Sequence, residues 1–103
     1  GWQAVAQEAK RVVGNGPAYL TFDVDGLDPV YTPGTGTPEA GGITMREAQR
    51  LIRELTGLDF IGGDVVEVSP PLDPSGNTAL NAATILFEML CILAIRVSEC
   101  RSG

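Results

Sequence analysis

Histidine is absent from these 103 residues, so a metal ion held by this chain has no imidazole ligand and depends on carboxylates. Cysteine is nearly absent. Cys91 lies in an apolar helical pattern and Cys100 near the end, and neither belongs to a Cys-x-x-Cys pair. That excludes a disulfide framework and fits reduced thiols, with the cytoplasm as the expected location. Basic residues number 7 against 13 acidic ones, a formal net charge of -6. This argues against nucleic acid or an anionic membrane as a partner and is compatible with a cationic ligand. No basic segment followed by an apolar run opens the chain, so no secretory signal is legible. Repeats, low-complexity tracts and stretches long enough to link domains are missing as well.

The residues that are present read as part of one globular α/β domain, long enough for a modest core. Trp2, Val5, Ala6, Ala9, Val12 and Val13 fall at helical spacing, which predicts a helix over 2–13, stopped by Gly14-Asn15-Gly16-Pro17. Because the chain opens inside this helical pattern with Gly1-Trp2, it is expected to be a piece of something longer. A nearly continuous apolar run predicts a strand over 18–24, of the parallel kind covered on both faces. Thr44-Met45-Arg46-Glu47 has the spacing of a capping box and starts a helix expected over 44–56, with Gly57 as its stop. A second strand is expected over 59–68. A long helix over 78–98, with Asn77 or Thr78 as its N-cap, closes the chain. This helix is apolar on almost every side, but Glu88 near its middle would be costly in lipid, so no membrane role is expected. Burial against the sheet on one side and against missing chain or a neighbouring subunit on the other is the expected alternative.

Strand, helix and strand in that order form a βαβ unit, whose crossover makes the strands parallel and puts both carboxyl ends on one edge. Ligands of open α/β sheets bind beyond that edge. The first strand ends in Asp23 and Asp25, the second in Glu67. On a strand, positions i and i+2 point the same way, so Asp23 and Asp25 are expected to converge. Two adjacent buried carboxylates repel unless a cation lies between them, and a divalent metal would serve. The alternative is turn chemistry, in which one or both aspartates hold loop amides.

Three segments carry a resemblance: Phe22-Asp23-Val24-Asp25-Gly26-Leu27-Asp28-Pro29, Pro33-Gly34-Thr35-Gly36-Thr37-Pro38-Glu39, and Asp64-Val65-Val66-Glu67-Val68-Ser69-Pro70. In this order they resemble the ureohydrolase (arginase/agmatinase) superfamily, and the Gly-Thr-Gly-Thr-Pro-Glu version is most similar to its agmatinase branch. The resemblance implies the βαβ-containing C-terminal portion of a three-layer, parallel-sheet, arginase-like α/β fold. It also implies a di-manganese (Mn²⁺) hydrolase that cleaves a guanidino substrate to urea and an amine, with agmatine to putrescine the first expectation. Asp23 and Asp25 correspond to metal ligands, Glu67 to the glutamate that pairs with the substrate guanidinium, and Thr37 to a threonine close to the site. Asp28 and Glu39 are expected to fix loop geometry, and Trp2, Tyr19 and Tyr31 to pack. The family's habit implies a homo-oligomer, trimer or hexamer, for the full-length protein.

The departure from the family is the missing histidine. Ureohydrolases complete their metal shell from an earlier Asp-x-His-x-Asp segment, which is not present here, and a site made of Asp23 and Asp25 alone would be weak and open. The 103 residues by themselves are therefore expected to be inactive. The other readings are a guanidinobutyrase- or guanidinopropionase-type hydrolase, or a non-catalytic α/β module whose acids hold a cation.

Overall fold

The computed structural model describes residues 1–102, with side chains described through Glu99. Cys100, one of the two cysteines noted above, lies outside the described side chains, and Cys91 is a half-buried free thiol. The element order is α1 (Trp2–Val13), β1 (Pro17–Asp23), α2 (Met45–Glu54), β2 (Asp59–Val66) and α3 (Asn77–Ser102), with single 3-10 turns over Val24–Gly26 and Pro70–Leu72.

The two strands pair in parallel, from Pro17 opposite Asp59 to Asp23 opposite Val66. One irregularity interrupts the ladder. Ala18 pairs with Phe60 and Tyr19 with Gly62, so Ile61 is the extra residue of a bulge. The inward face of β1 carries Ala18, Leu20 and Phe22 against a core that includes Ile52, Leu55, Phe60, Ile85 and Met89. No element of the described residues covers the other face, where Tyr19 is 58% and Ile61 68% exposed. Tyr19, Thr21 and Asp64 share this open face. The Tyr19 hydroxyl donates to Asp64 Oδ2 at 2.8 Å and the Thr21 hydroxyl to Oδ1 at 2.5 Å. These bonds hold the Asp64 carboxyl below its ordinary value and push the Tyr19 phenol up.

Helix α1 ends at Gly14, whose φ of 70° few other residues tolerate, and whose amide donates to Lys10 O at 2.9 Å. The indole N–H of Trp2 reaches Glu47 Oε2 on α2 at 2.7 Å and so ties α1 to α2. The capping box is present as read. Glu47 N donates to Thr44 Oγ1 and Thr44 N to Glu47 Oε1, and α2 begins at the next residue, Met45. At its other end α2 tightens before Gly57, with Leu55 N bonded to Ile52 O and Thr56 N to Arg53 O.

Helix α3 lies on β2 through Ile85, Met89 and Ile92. Gly63 permits this approach, since a Cβ there would come within 3.0 Å of Met89 Sδ. By length and composition Asn77–Glu99 is long and apolar enough to cross a membrane. Glu88 in its middle is nonetheless 6% exposed and satisfied, accepting from Arg53 Nε at 2.9 Å, Arg53 Nη2 at 2.6 Å and Gln49 Nε2 at 3.2 Å. The N-terminus of α3 is held from outside Asn77 and Thr78, the expected cap positions. Asp73, four residues before Asn77, accepts the Thr78 and Ala79 amides at 3.0 Å each. Burial raises the Asp73 pKa, and the hydrogen bonds from those amides and the Thr78 hydroxyl outweigh it, for a net lowering.

Candidate functional site

Strand β1 stops at Asp23, one residue earlier than expected, because Val24 turns into the core and starts the 3-10 turn. The Thr32 hydroxyl, itself buried, donates to Val24 O at 2.9 Å and fixes that inward turn. Asp23 serves as the turn's N-cap, its Oδ1 accepting the Asp25 amide at 2.8 Å. Strand alternation therefore does not govern Asp25, which lies past the strand, and period two does not make the pair converge. The turn links the two residues instead, the Asp23 carboxylate accepting the Asp25 amide. The turn-chemistry alternative describes Asp23 in part, since one of its two oxygens is used this way.

Asp25 is held quite differently, by a loop that returns to it. The connection from Gly26 to Gly42 is cinched at its neck, where Asp28 N bonds Ile43 O and Ile43 N bonds Gly26 O, both at 3.0 Å. The Asp28 carboxylate accepts Val30 N at 3.0 Å and Gly41 N at 3.1 Å, the loop-fixing role expected of it. Farther out the loop is pinned to α3. Asn81 Nδ2 donates to Tyr31 O at 2.6 Å and Gly34 N to Thr78 Oγ1 at 2.7 Å. Gly34 passes so close to the Asp73 side chain that an added Cβ would lie 2.4 Å from Asp73 Cβ. The next residues then reach Asp25: the Thr35 hydroxyl donates to Oδ1 and the Thr37 hydroxyl to Oδ2. Thr37, singled out as a threonine near the substrate, is thus bonded to Asp25 and exposed to solvent. Thr35 was not singled out, although the same motif contains it.

Glu67 follows the last residue of β2, and Val66 pairs with Asp23, so Glu67 sits at the same sheet edge as the two aspartates. The strand ends here rather than at Val68 because Glu67 has a φ of 74°, the only positive φ outside glycine among the described residues. Its side chain is exposed. Two residues on, Ser69 N donates to Gly34 O at 2.7 Å, which links the turn carrying Glu67 to the loop carrying Thr35 and Thr37.

For a hard divalent cation such as Mn²⁺ the donor chemistry is suitable, since Asp23 and Asp25 offer anionic oxygens at one strand end. It is also incomplete. Among the described residues no group of three His, Cys, Asp or Glu side chains could hold a metal ion. A groove of about 640 Å³ lies elsewhere, lined by Trp2, Gln3, Arg50 and Glu54, and contains none of these acids.

The model of the arginase family matches residues 1–91. The chain belongs to the arginase family. Guanidinopropionase of Pseudomonas aeruginosa is 62% identical over 94 residues, covering 91% of this chain and 30% of that protein. Agmatinase of Edwardsiella ictaluri is 55% identical over 92 residues, covering 89% of this chain and 30% of that protein. Among solved structures, a hypothetical agmatinase from Burkholderia thailandensis superposes with a TM-score of 0.90 at 45% identity, over 96% of this chain and 32% of that one. Arginase from Bacillus subtilis does so with a TM-score of 0.80 at 33% identity, over 87% and 32%. The fold is therefore arginase-like α/β, as the motifs implied. The chain spans about three-tenths of the length of these relatives.

Proposed function

We propose that the protein carrying this chain hydrolyses a guanidino compound to urea and an amine at a di-manganese centre, part of which these residues supply. The observation that carries the reading is the pairing of Asp23 with Val66. It brings two aspartates from the end of β1 and a glutamate from the end of the neighbouring parallel strand to one edge. Asp23 and Asp25 would hold manganese, which when bound lowers the pKa of a water so that hydroxide is available near neutral pH. Glu67 would accept two N–H groups of the planar guanidinium, orienting its carbon towards that edge. The ligands needed to complete the metal shell come from outside residues 1–103 in this proposal, and the chain alone is inactive.

The substrate's tail has two readings. The Gly-Thr-Gly-Thr-Pro-Glu segment and the net charge of -6 favour agmatine. A guanidino acid is favoured by the names of relatives at 62% and 58% identity, a guanidinopropionase and a guanidinobutyrase of Pseudomonas aeruginosa. A homo-oligomer belongs to the same proposal, on the resemblance to the family.

The test is urea release by the Mn²⁺-loaded protein from agmatine, 4-guanidinobutanoate, 3-guanidinopropanoate and arginine. Asp23→Asn and Asp25→Asn are expected to lose Mn²⁺ uptake and more than about 100-fold in kcat/KM. Glu67→Gln is expected to keep the metal and lose about 100-fold, the worth of charge-assisted bonds to the substrate. Undiminished urea release in both aspartate variants would refute the assignment.

A further inference from the structure

We propose that Thr35, rather than the more exposed Thr37, is the positioning residue that fixes the Asp25 carboxylate for metal binding; this rests on the hydrolase reading above. Both threonines donate a hydroxyl to Asp25, one to each oxygen, from positions 10 and 12 residues downstream. Their surroundings differ. Thr35 is 3% exposed, whereas Thr37 is open to solvent. If the Thr37 bond is lost, water can replace it at little cost. A buried hydroxyl has no such substitute, so the Thr35 hydroxyl and the Asp25 Oδ1 atom hold each other in one geometry.

The backbone of Thr35 is fixed independently of Asp25. Its amide donates to Pro33 O at 2.9 Å, and the preceding Gly34 is bonded through its amide to Thr78 Oγ1 and through its carbonyl to the Ser69 amide, both at 2.7 Å. The hydroxyl is thus presented from a scaffold anchored on α3 and on the chain after β2. A carboxylate oxygen has two lone pairs, so one bond from Thr35 leaves Oδ1 able to bind a cation while removing the side chain's freedom to rotate away. Locking the rotamer before binding reduces the ordering cost of taking up the metal. Groups that orient a metal ligand in this way typically contribute roughly 10–100-fold in affinity.

The experiment measures Mn²⁺ affinity by titration calorimetry on metal-stripped protein, together with the metal-free melting temperature, for Thr35→Ala, Thr35→Ser and Thr37→Ala in the whole protein carrying this chain. A positioning role predicts that Thr35→Ala weakens Mn²⁺ binding roughly 10–100-fold, that Thr35→Ser restores it to within about threefold, and that Thr37→Ala changes it less than about threefold. Equal binding by Thr35→Ala and Thr35→Ser overturns the proposal. So does equal weakening in both, or loss of the metal-free fold in both, since either result assigns Thr35 to packing through its methyl group. A Thr37→Ala loss as large as that of Thr35→Ala overturns the choice between them. Failure of the unsubstituted protein to take up Mn²⁺ instead brings down the hydrolase reading, and this proposal with it.

Discussion

Glu67 combines an unfavourable backbone with an exposed carboxylate at the sheet edge. A left-handed conformation costs a residue with a Cβ about 1–2 kcal/mol, and such strain tends to be kept where function needs the side chain. Replacing Glu67 by glycine relieves the strain but adds freedom to the unfolded chain. The expected net effect is a stabilisation of roughly 0.5–1 kcal/mol in denaturant titrations, with the urea release proposed for the whole protein lost. An unchanged or lower stability would mean that the 74° φ carries no strain there. The chemistry of this residue was legible in the sequence because a motif names residue types in order. Its conformation was not, since no local pattern reports a φ angle. The same limit explains Thr35 and Thr37: two identical residues stand two apart in one motif, and only burial distinguishes them.

Between elements, the contact with the clearest pH signature joins α2 to α3. The Arg53 hydrogen bonds to Glu88 outweigh the opposing effect of burial and hold the Glu88 carboxyl below its ordinary value of 4.5. A carboxyl whose folded pKa lies below its unfolded one contributes stability that is fully present above the unfolded value and is lost as pH falls through the folded value. The melting temperature is therefore expected to hold from pH 7 to about 4.5 as far as this group is concerned, and to fall below that. In Glu88→Gln, which cannot titrate, the acid-side decline should be shallower; parallel curves down to pH 3 would remove Glu88 from the account. The two helix starts show how much of an element can be read in advance. The Thr44 and Glu47 box closes within three residues and was legible. The cap of α3 was misplaced to Asn77 or Thr78 because Asp73 reaches it across a turn, Asp73-Pro74-Ser75-Gly76, whose path the composition does not specify.

At the scale of the molecule, an uncovered surface stands out. Leu86, Phe87 and Leu90 are exposed along α3, Phe87 and Leu90 by more than 60%, while the far side of the sheet is open at Tyr19 and Ile61. In a chain that spans about three-tenths of its relatives, an apolar surface of this kind is one that the rest of the protein or a neighbouring subunit covers, and the isolated chain leaves it bare. The 103-residue chain alone is accordingly expected to self-associate with rising concentration in sedimentation, and Phe87→Glu combined with Leu90→Lys to shift it towards monomer; a chain that stays monomeric throughout would contradict this. The sequence by itself determined the order of elements, the parallel βαβ arrangement and the placing of Asp23, Asp25 and Glu67 at strand ends, because periodicity, capping and turn residues act over a few positions. Only the tertiary structure decided where β1 stops, which face of the sheet is covered and which hydroxyls hold Asp25. Those depend on a loop closing over 10 to 12 residues and on α3 docking beneath it, and groups so far apart in sequence meet only once the chain has folded.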